Sequence, residues 1–240
     1  DIASSIKALR HARKHMRSWM RASRRHIEFP LGLMGASGAV RYQPKGVVGL
    51  ISPWNFPINL TFAPLAGILA AGNRAMIKPS EFTPATSALL AKLIGQTFNE
   101  EELFVITGEA DIAATFAALP FDHLLFTGST VIGKKVMMVA SENLVPLTLE
   151  LGGKSPVIIG ESADVSKAAT SIMHGKSFNA GQICVCPDYV LLKEDRKYDF
   201  IEAARAAVAK MFPSGIKDND DYTSVRGRRH FDRMKKYIED

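Results

Sequence analysis

Cys184 follows the turn-forming run Gly181-Gln182-Ile183. A thiol placed after such a glycine is often presented to a cleft, where its thiolate is a nucleophile. A buried structural cysteine is the competing explanation, because free cysteine is among the most buried residue types. Glu150 ends an apolar run over residues 145–150 and has Gly152 and Gly153 behind it. A part-buried carboxylate there would have its pKa raised, as a general base requires. Asn55 stands between Trp54 and Phe56, and these between Pro53 and Pro57. That frame would hold a side-chain amide rigidly enough to donate to an oxyanion, although by itself it reads as a tight turn. No histidine lies near Cys184 or Glu150 in the chain, so a Cys–His protease pair has no support.

Two further stretches suit a nucleotide. Residues 124–133 run from an apolar strand through Gly128 into a helix that opens with Ser129-Thr130. Ser129 can cap that helix, Gly128 lets the backbone approach a ligand closely, and the helix N-terminus favours a phosphate. A plain N-cap explains the same residues. Lys78-Pro79-Ser80-Glu81 ends another strand, with the proline stopping it. The ammonium of Lys78 and the carboxylate of Glu81 would then project over the sheet edge, where ribose hydroxyls could meet both; a surface ion pair is the alternative. The series Gly32, Gly35, Gly38 neither follows a strand nor precedes a helix and is set aside. His11 and His15 lack a third ligand and Cys184 and Cys186 lack a second pair, so no metal site is expected.

The scaffold that must position these residues alternates in type. Apolar residues Ile2, Ile6, Leu9, Met16 and Met20 predict an amphipathic helix over residues 2–26, followed to Pro44 by a glycine-punctuated ribbon. Strands are predicted at 47–52, 74–78, 103–107, 123–127, 145–150 and 157–159. Helices are predicted at 62–71, 83–98, 110–119, 129–141 and 195–211, with a last basic helix running to Asp240. Such alternation implies right-handed crossovers and an α/β, doubly wound, mainly parallel sheet, whose ligands sit at the carboxyl ends of the strands.

Composition narrows the classes. With 47% hydrophobic and 22% charged residues in 240, the chain is neither disordered nor collagenous nor a coiled coil. Its net charge of +6 is concentrated in residues 1–42, which carry +7, so the remainder is nearly neutral. A nucleic-acid binder would spread its charge more widely; the basic helix is expected to dock on its own domain with a solvated face. The uncharged stretch 46–73 is long enough to span a bilayer, but Pro53, Pro57, Pro64, Asn55 and Asn59 break it into strand, loop and helix. Asp1-Ile2-Ala3-Ser4 contains no apolar signal core, and two cysteines are too few for a disulfide framework, so a reducing, cytoplasmic setting is expected.

Taken together, Pro53–Pro57, Lys78–Glu81, Phe126–Thr130, Leu149–Lys154 and Gly181–Cys184 resemble the aldehyde dehydrogenase superfamily in order and approximate spacing, over nearly the whole chain. The stretches 187–189 and 72–85 are most similar to the class-3-like branch and, within it, to bacterial coniferyl aldehyde dehydrogenases. The resemblance implies a Rossmann-like cofactor domain with its N-terminal helix at 1–25, a bridging ribbon at 26–44 and the cofactor-binding body at 45–150. The first part of a catalytic domain follows at 151–240. It implies Cys184 as nucleophile, Asn55 and the Cys184 backbone N–H as oxyanion donors, and Glu150 as the base that activates water. Lys78 and Glu81 would hold the adenosine ribose and Ser129 the pyrophosphate, with Gly128, Gly152, Ser52, Pro53 and Trp54 completing the cofactor site. NAD is favoured, because Glu81 would repel a 2′-phosphate, and NADP is possible.

An aromatic aldehyde and a homodimer are further implications of the resemblance. An acylating relative, which passes the thioester to a thiol or phosphate, commonly lacks the glutamate found here as Glu150. A non-catalytic cofactor-binding remnant is the remaining alternative. The family continues for roughly as long again, so the chain reads as a fragment and is expected to be poorly active alone. Cys186 departs from the Ala or Gly usual at its position, which places a second thiol beside the first and raises oxidative trapping as an expectation.

Overall fold

A computed structural model describes residues 1–239, Arg229 by its backbone alone; the expected helix end at Asp240 lies outside the described residues. The chain divides into two compact units, Asp1–Leu151 and Gly152–Asp240.

The first unit begins with α1 (Ile2–Trp19) and a two-stranded antiparallel ribbon, β1 (Ser23–Arg25) with β2 (Gly38–Val40). It continues as β3 (Val47–Ile51), α2 (Asn59–Ala70), β4 (Arg74–Lys78), α3 (Pro84–Thr97) and β5 (Leu103–Val105). After these come α4 (Ala110–Ala117), β6 (His123–Gly128), α5 (Thr130–Ser141) and β7 (Leu147–Leu151). Strands β3 to β7 form one parallel sheet in the order β5-β4-β3-β6-β7. The chain thus starts at the central strand, builds outward one way, and returns to build outward the other.

Consecutive residues of one strand serve opposite layers. Leu50 and Ile77 pack with Leu65 of α2 and Ile94 of α3, whereas Ile51, Leu124 and Phe126 pack with Phe116 of α4 and Val136 of α5. Burial of both faces is why these strands read as continuous apolar runs rather than as alternating ones. The charge-free stretch 46–73 resolves into β3, a turn and α2; among the described residues no helix is long and apolar enough to cross a membrane.

The N-terminal helix is shorter than its periodicity predicts. It ends at Trp19, and the basic run that follows becomes the first strand of the ribbon, with Arg25 opposite Gly38. Cross-strand pairing overrides the helical pattern there. Asp1 joins this helix to the next one: its carboxylate accepts the backbone N–H of Asn59 at 2.6 Å and of Ile58 at 3.3 Å, two groups that a helix start cannot satisfy internally.

His123 lies at the amino edge of the sheet. Its Nδ1 is 3.2 Å from Lys45 Nζ and its Nε2 is 2.9 Å from Thr148 Oγ1. Lysine has only donors, so Nδ1 accepts and Nε2–H donates to the threonine. Burial first, and the Lys45 charge second, hold the imidazole pKa below 6.5. The unfolded chain therefore binds the proton more readily. The stability that neutral His123 contributes is present above about pH 6.5 and is lost as the pH falls toward the lowered folded value. Denaturant midpoints compared at about pH 7.5 and about pH 5.5 should fall on acidification, and His123→Gln should flatten that fall. An unchanged slope in His123→Gln would sink the assignment.

The second unit contains β8 (Ser155–Ile158), α6 (Val165–Ser177), β9 (Pro187–Leu191), α7 (Lys197–Met211) and α8 (Arg228–Glu239). β8 and β9 pair in parallel with a register shift at Ser155/Pro156. Asp164 caps α6 by accepting the Lys167 N–H at 3.0 Å. Both α6 and β9 are absent from the elements that pattern alone predicts. Val165, Ala168, Ala169, Ile172 and Met173 do recur at helical spacing, so α6 carries a signal in its sequence, whereas β9 opens at a proline.

Candidate functional site

Register places four of the singled-out positions along one edge of the sheet. Ile51 is opposite Lys78 on one side and Phe126 on the other, while Thr127 is opposite Glu150 and Gly128 opposite Leu151. Ser52, Lys78, Gly128 and Glu150 therefore stand at the carboxyl ends of the adjacent strands β3, β4, β6 and β7. Three strand spacings separate the outer pair, roughly 14 Å. The switch in strand order falls between β3 and β6, inside this row, and open α/β sheets bind ligands at such a point.

Lys78 differs from expectation. Rather than forming a surface pair, it is among the most deeply buried side chains of the unit, with 1% exposure. Its ammonium donates to Pro79 O at 2.9 Å and to Glu81 Oε2 at 3.3 Å. Glu81 stays accessible, at 24%. Among the described residues these two acceptors take two of three ammonium protons, which leaves one donor beside an accessible carboxylate. That set suits a vicinal diol such as a ribose, whose hydroxyls both donate and accept.

Ser129 is the N-cap of α5, its Oγ accepting the Ile132 N–H at 3.4 Å. The remaining first-turn N–H groups and the helix dipole suit an anion. Gly128 has its own requirement: a Cβ there would stand 2.5 Å from Phe126 Cζ, so only glycine lets the strand end turn over that ring. Gly152 has open space around the same hypothetical atom. Pro53, Trp54 and Asn55 are half-buried on the turn between β3 and α2.

Glu150 corrects a second expectation, because it is exposed and not part-buried. Leu147, Leu149 and Leu151 of β7 pack on the core, so strict alternation turns Glu150 to the other face. The glycines behind it carry no information about that alternation.

In the second unit, Cys184 is exposed and Cys186 is buried, and neither forms a disulfide. Leading to them, Asn179, Ala180 and Gly181 all have positive φ, of 50°, 52° and 73°. Ala180 is strained in that conformation, and Gly181 is needed because a Cβ would lie 3.3 Å from Lys176 O. The chain then closes a turn in which Cys186 N donates to Ile183 O at 3.2 Å, with Cys184 at its outer corner. Gln182, whose part pattern alone does not indicate, fastens the turn from behind. It donates to Asn179 O and Ser224 O, and its Oε1 accepts the Arg226 N–H at 2.8 Å. Lys154, just before β8, and Asp188, the second residue of β9, form an ion pair at 2.7 Å.

The two thiols are not presented alike. Cys186 Sγ lies 3.6 Å from Pro187 O and 4.0 Å from Gly175 O, turned into the unit. Brief iodoacetamide treatment should therefore alkylate Cys184 and spare Cys186, as peptide mass spectrometry would show. Equal labelling of both would overturn the placement.

No group of three or more His, Cys, Asp or Glu that could hold a metal ion occurs among the described residues.

Comparison with known proteins gives one result throughout. The model of the aldehyde dehydrogenase family matches residues 1–240. The coniferyl aldehyde dehydrogenase of Pseudomonas sp. is 54% identical over 240 residues, covering 100% of this chain and 49% of the relative. The probable coniferyl aldehyde dehydrogenase of Caulobacter vibrioides is 57% identical, covering 100% and 50%. Among solved structures, the substrate-bound state of Staphylococcus aureus AldH superposes with a TM-score of 0.93 at 39% identity, covering 100% of this chain and 52% of that one. A Mycobacterium tuberculosis aldehyde dehydrogenase complexed with NAD+ gives 0.85 at 28%, covering 98% and 48%. The chain thus spans about half the length of the relatives it matches, and it belongs to the aldehyde dehydrogenase family.

Proposed function

We propose that the full-length protein oxidises an aldehyde, aromatic and similar to coniferaldehyde, to its carboxylic acid with NAD as oxidant. The observation that carries the proposal is an exposed Cys184, held at a turn corner in a chain of this family. The Cys184 thiolate attacks the carbonyl carbon, and the oxyanion so formed accepts hydrogen bonds from the Asn55 amide and the Cys184 backbone N–H. The nicotinamide cofactor, when bound, supplies the hydride acceptor. Cys184 then carries the acyl group as a thioester. Glu150 takes a proton from the water that attacks it, releasing the acid and restoring the thiol. An accessible Glu150 is consistent with a base that must meet solvent water, and its presence favours hydrolysis over transfer to a thiol or phosphate.

The remaining donor Lys78, with Glu81, would hold the adenosine ribose, and the α5 N-terminus capped by Ser129 would hold the pyrophosphate. Ser52, Pro53, Trp54, Gly128 and Gly152 would line the same site. The carboxylate of Glu81 disfavours a 2′-phosphate, hence NAD before NADP. On this reading Asp1–Leu151 is the cofactor unit with its bridging ribbon, and Gly152 begins the catalytic unit. The free thiols fit a reducing cytoplasm, and the full-length protein is proposed to form a homodimer.

The test is aldehyde-dependent NADH formation from coniferaldehyde, comparing the full-length protein with an isolated 1–240 polypeptide. Turnover by the first and near silence of the second are expected. A full-length protein that turns over no aldehyde with either NAD or NADP would overturn the proposal and leave a cofactor-binding remnant.

A further inference from the structure

We infer that the buried hydroxyls of Thr61 and Ser52 are positioning residues for Asn55, and this rests on the reading of Asn55 as the oxyanion donor. Thr61 is fully buried and Ser52 is 3% exposed. Thr61 Oγ1 lies 2.7 Å from Ser52 Oγ and 2.7 Å from Pro57 O. One hydroxyl proton cannot serve both contacts, and a carbonyl can only accept. The arrangement that makes both bonds has Ser52 donating to Thr61 and Thr61 donating to Pro57 O.

Residues 52 and 57 are the two ends of the turn that carries Asn55. A threonine hydroxyl bonded four residues back is common in helices, but here it replaces a backbone bond. The Thr61 N–H goes to Ile58 O at 3.2 Å, not to Pro57 O, so the side chain supplies the Pro57 carbonyl with its partner. Ser52 is tied in turn to the neighbouring strand, its N–H donating to Lys78 O at 3.1 Å. The turn is therefore braced from the sheet edge at one end and from α2 at the other, through one pair of hydroxyls. Thr61 is itself assigned to neither substrate nor cofactor, and it meets the proposed cofactor site only through the Ser52 hydroxyl, so KM for NAD should stay within roughly twofold of the parent while the aldehyde parameters fall. Its effect on the reaction would pass through the geometry of residues 53–57.

The experiment is a cycle in the full-length protein. Thr61→Val, which keeps shape and removes the hydroxyl, should lower kcat/KM for the aldehyde roughly tenfold, the order expected for one hydrogen bond. Thr61→Ser should restore it to within roughly twofold. In an Asn55→Ala background Thr61→Val should add nothing, because the residue it positions is gone. The rate of Cys184 alkylation by iodoacetamide should be unchanged in both, since that reaction needs no oxyanion donor.

Full activity of Thr61→Val beside an inactive Asn55→Ala would overturn the positioning role alone. Equal losses from Thr61→Val in both backgrounds would make it a general packing effect and also overturn it. An active Asn55→Ala would overturn the site reading and this inference with it. If Thr61→Val does not fold, Thr61→Ala against Thr61→Ser reads the same bond: a roughly tenfold loss restored by serine supports it, and no loss overturns it.

Discussion

Cys184→Ala in the full-length protein should abolish aldehyde oxidation, by at least roughly a thousandfold, while leaving unfolding within about 0.5 kcal/mol of the parent. The two halves of this expectation have separate causes. The side chain is exposed at a turn corner, and the bonds that make the turn belong to the backbone of Ile183 and Cys186 and to the amide of Gln182. Truncating the thiol removes none of them and opens no cavity. The chemistry, by contrast, has no substitute: Cys186 is buried with its sulfur turned inward, so it cannot take over as nucleophile. Steady-state rates with coniferaldehyde, together with denaturant midpoints, read both quantities. Retained activity would mean that the nucleophile lies elsewhere.

The second large effect is an asymmetry between two partners of one ion pair. Glu81→Ala leaves the Lys78 ammonium at 1% exposure with Pro79 O as its acceptor, a buried charge deprived of its counter-ion. A cost of about 2 kcal/mol is expected, below the roughly 3–5 kcal/mol of fully buried pairs because the vacated site is open to water. Lys78→Met removes the charge and keeps most of the volume, so stability should stay within about 1 kcal/mol of the parent. Cofactor affinity should behave the other way for lysine. If Lys78 holds the adenosine ribose as proposed, losing that charge-assisted donor should weaken NAD binding about ten- to a hundredfold. Chemical denaturation and NAD titration of the two variants check this. If Lys78→Met destabilises as much as Glu81→Ala and binds NAD normally, Lys78 is structural only.

Much of the first unit was legible because its strands are buried on both faces and bounded by turn residues. Residues 74–78 fall within the same limits in pattern and structure, since Gly72-Asn73 precede them and Pro79 follows. Ser129 was legible as a cap for a local reason, as its bond spans three residues. Where partners are distant, pattern failed. Nothing near Arg24 announces that Ala39 will pair with it, and nothing near Thr61 announces Ser52 or Pro57 as its partners. Glu150 was misjudged from its glycines when the alternation of three leucines already assigned its face.

The strand order also has a consequence during synthesis. β3 is complete once residue 51 is made, and β4 and β5 can join one side of it soon after. Its other side waits for β6: Val47 and its hydrogen-bond partner Asp122 are 75 residues apart. At ribosomal speeds this is a delay of roughly 4–15 s. Throughout it Val48 and Leu50 offer an apolar, unpaired strand edge of the kind that recruits other chains. The β3 edge that β6 later covers, where the order of strand addition reverses, is thus exposed to aggregation until β6 arrives, and crowded or heat-stressed translation should test it first.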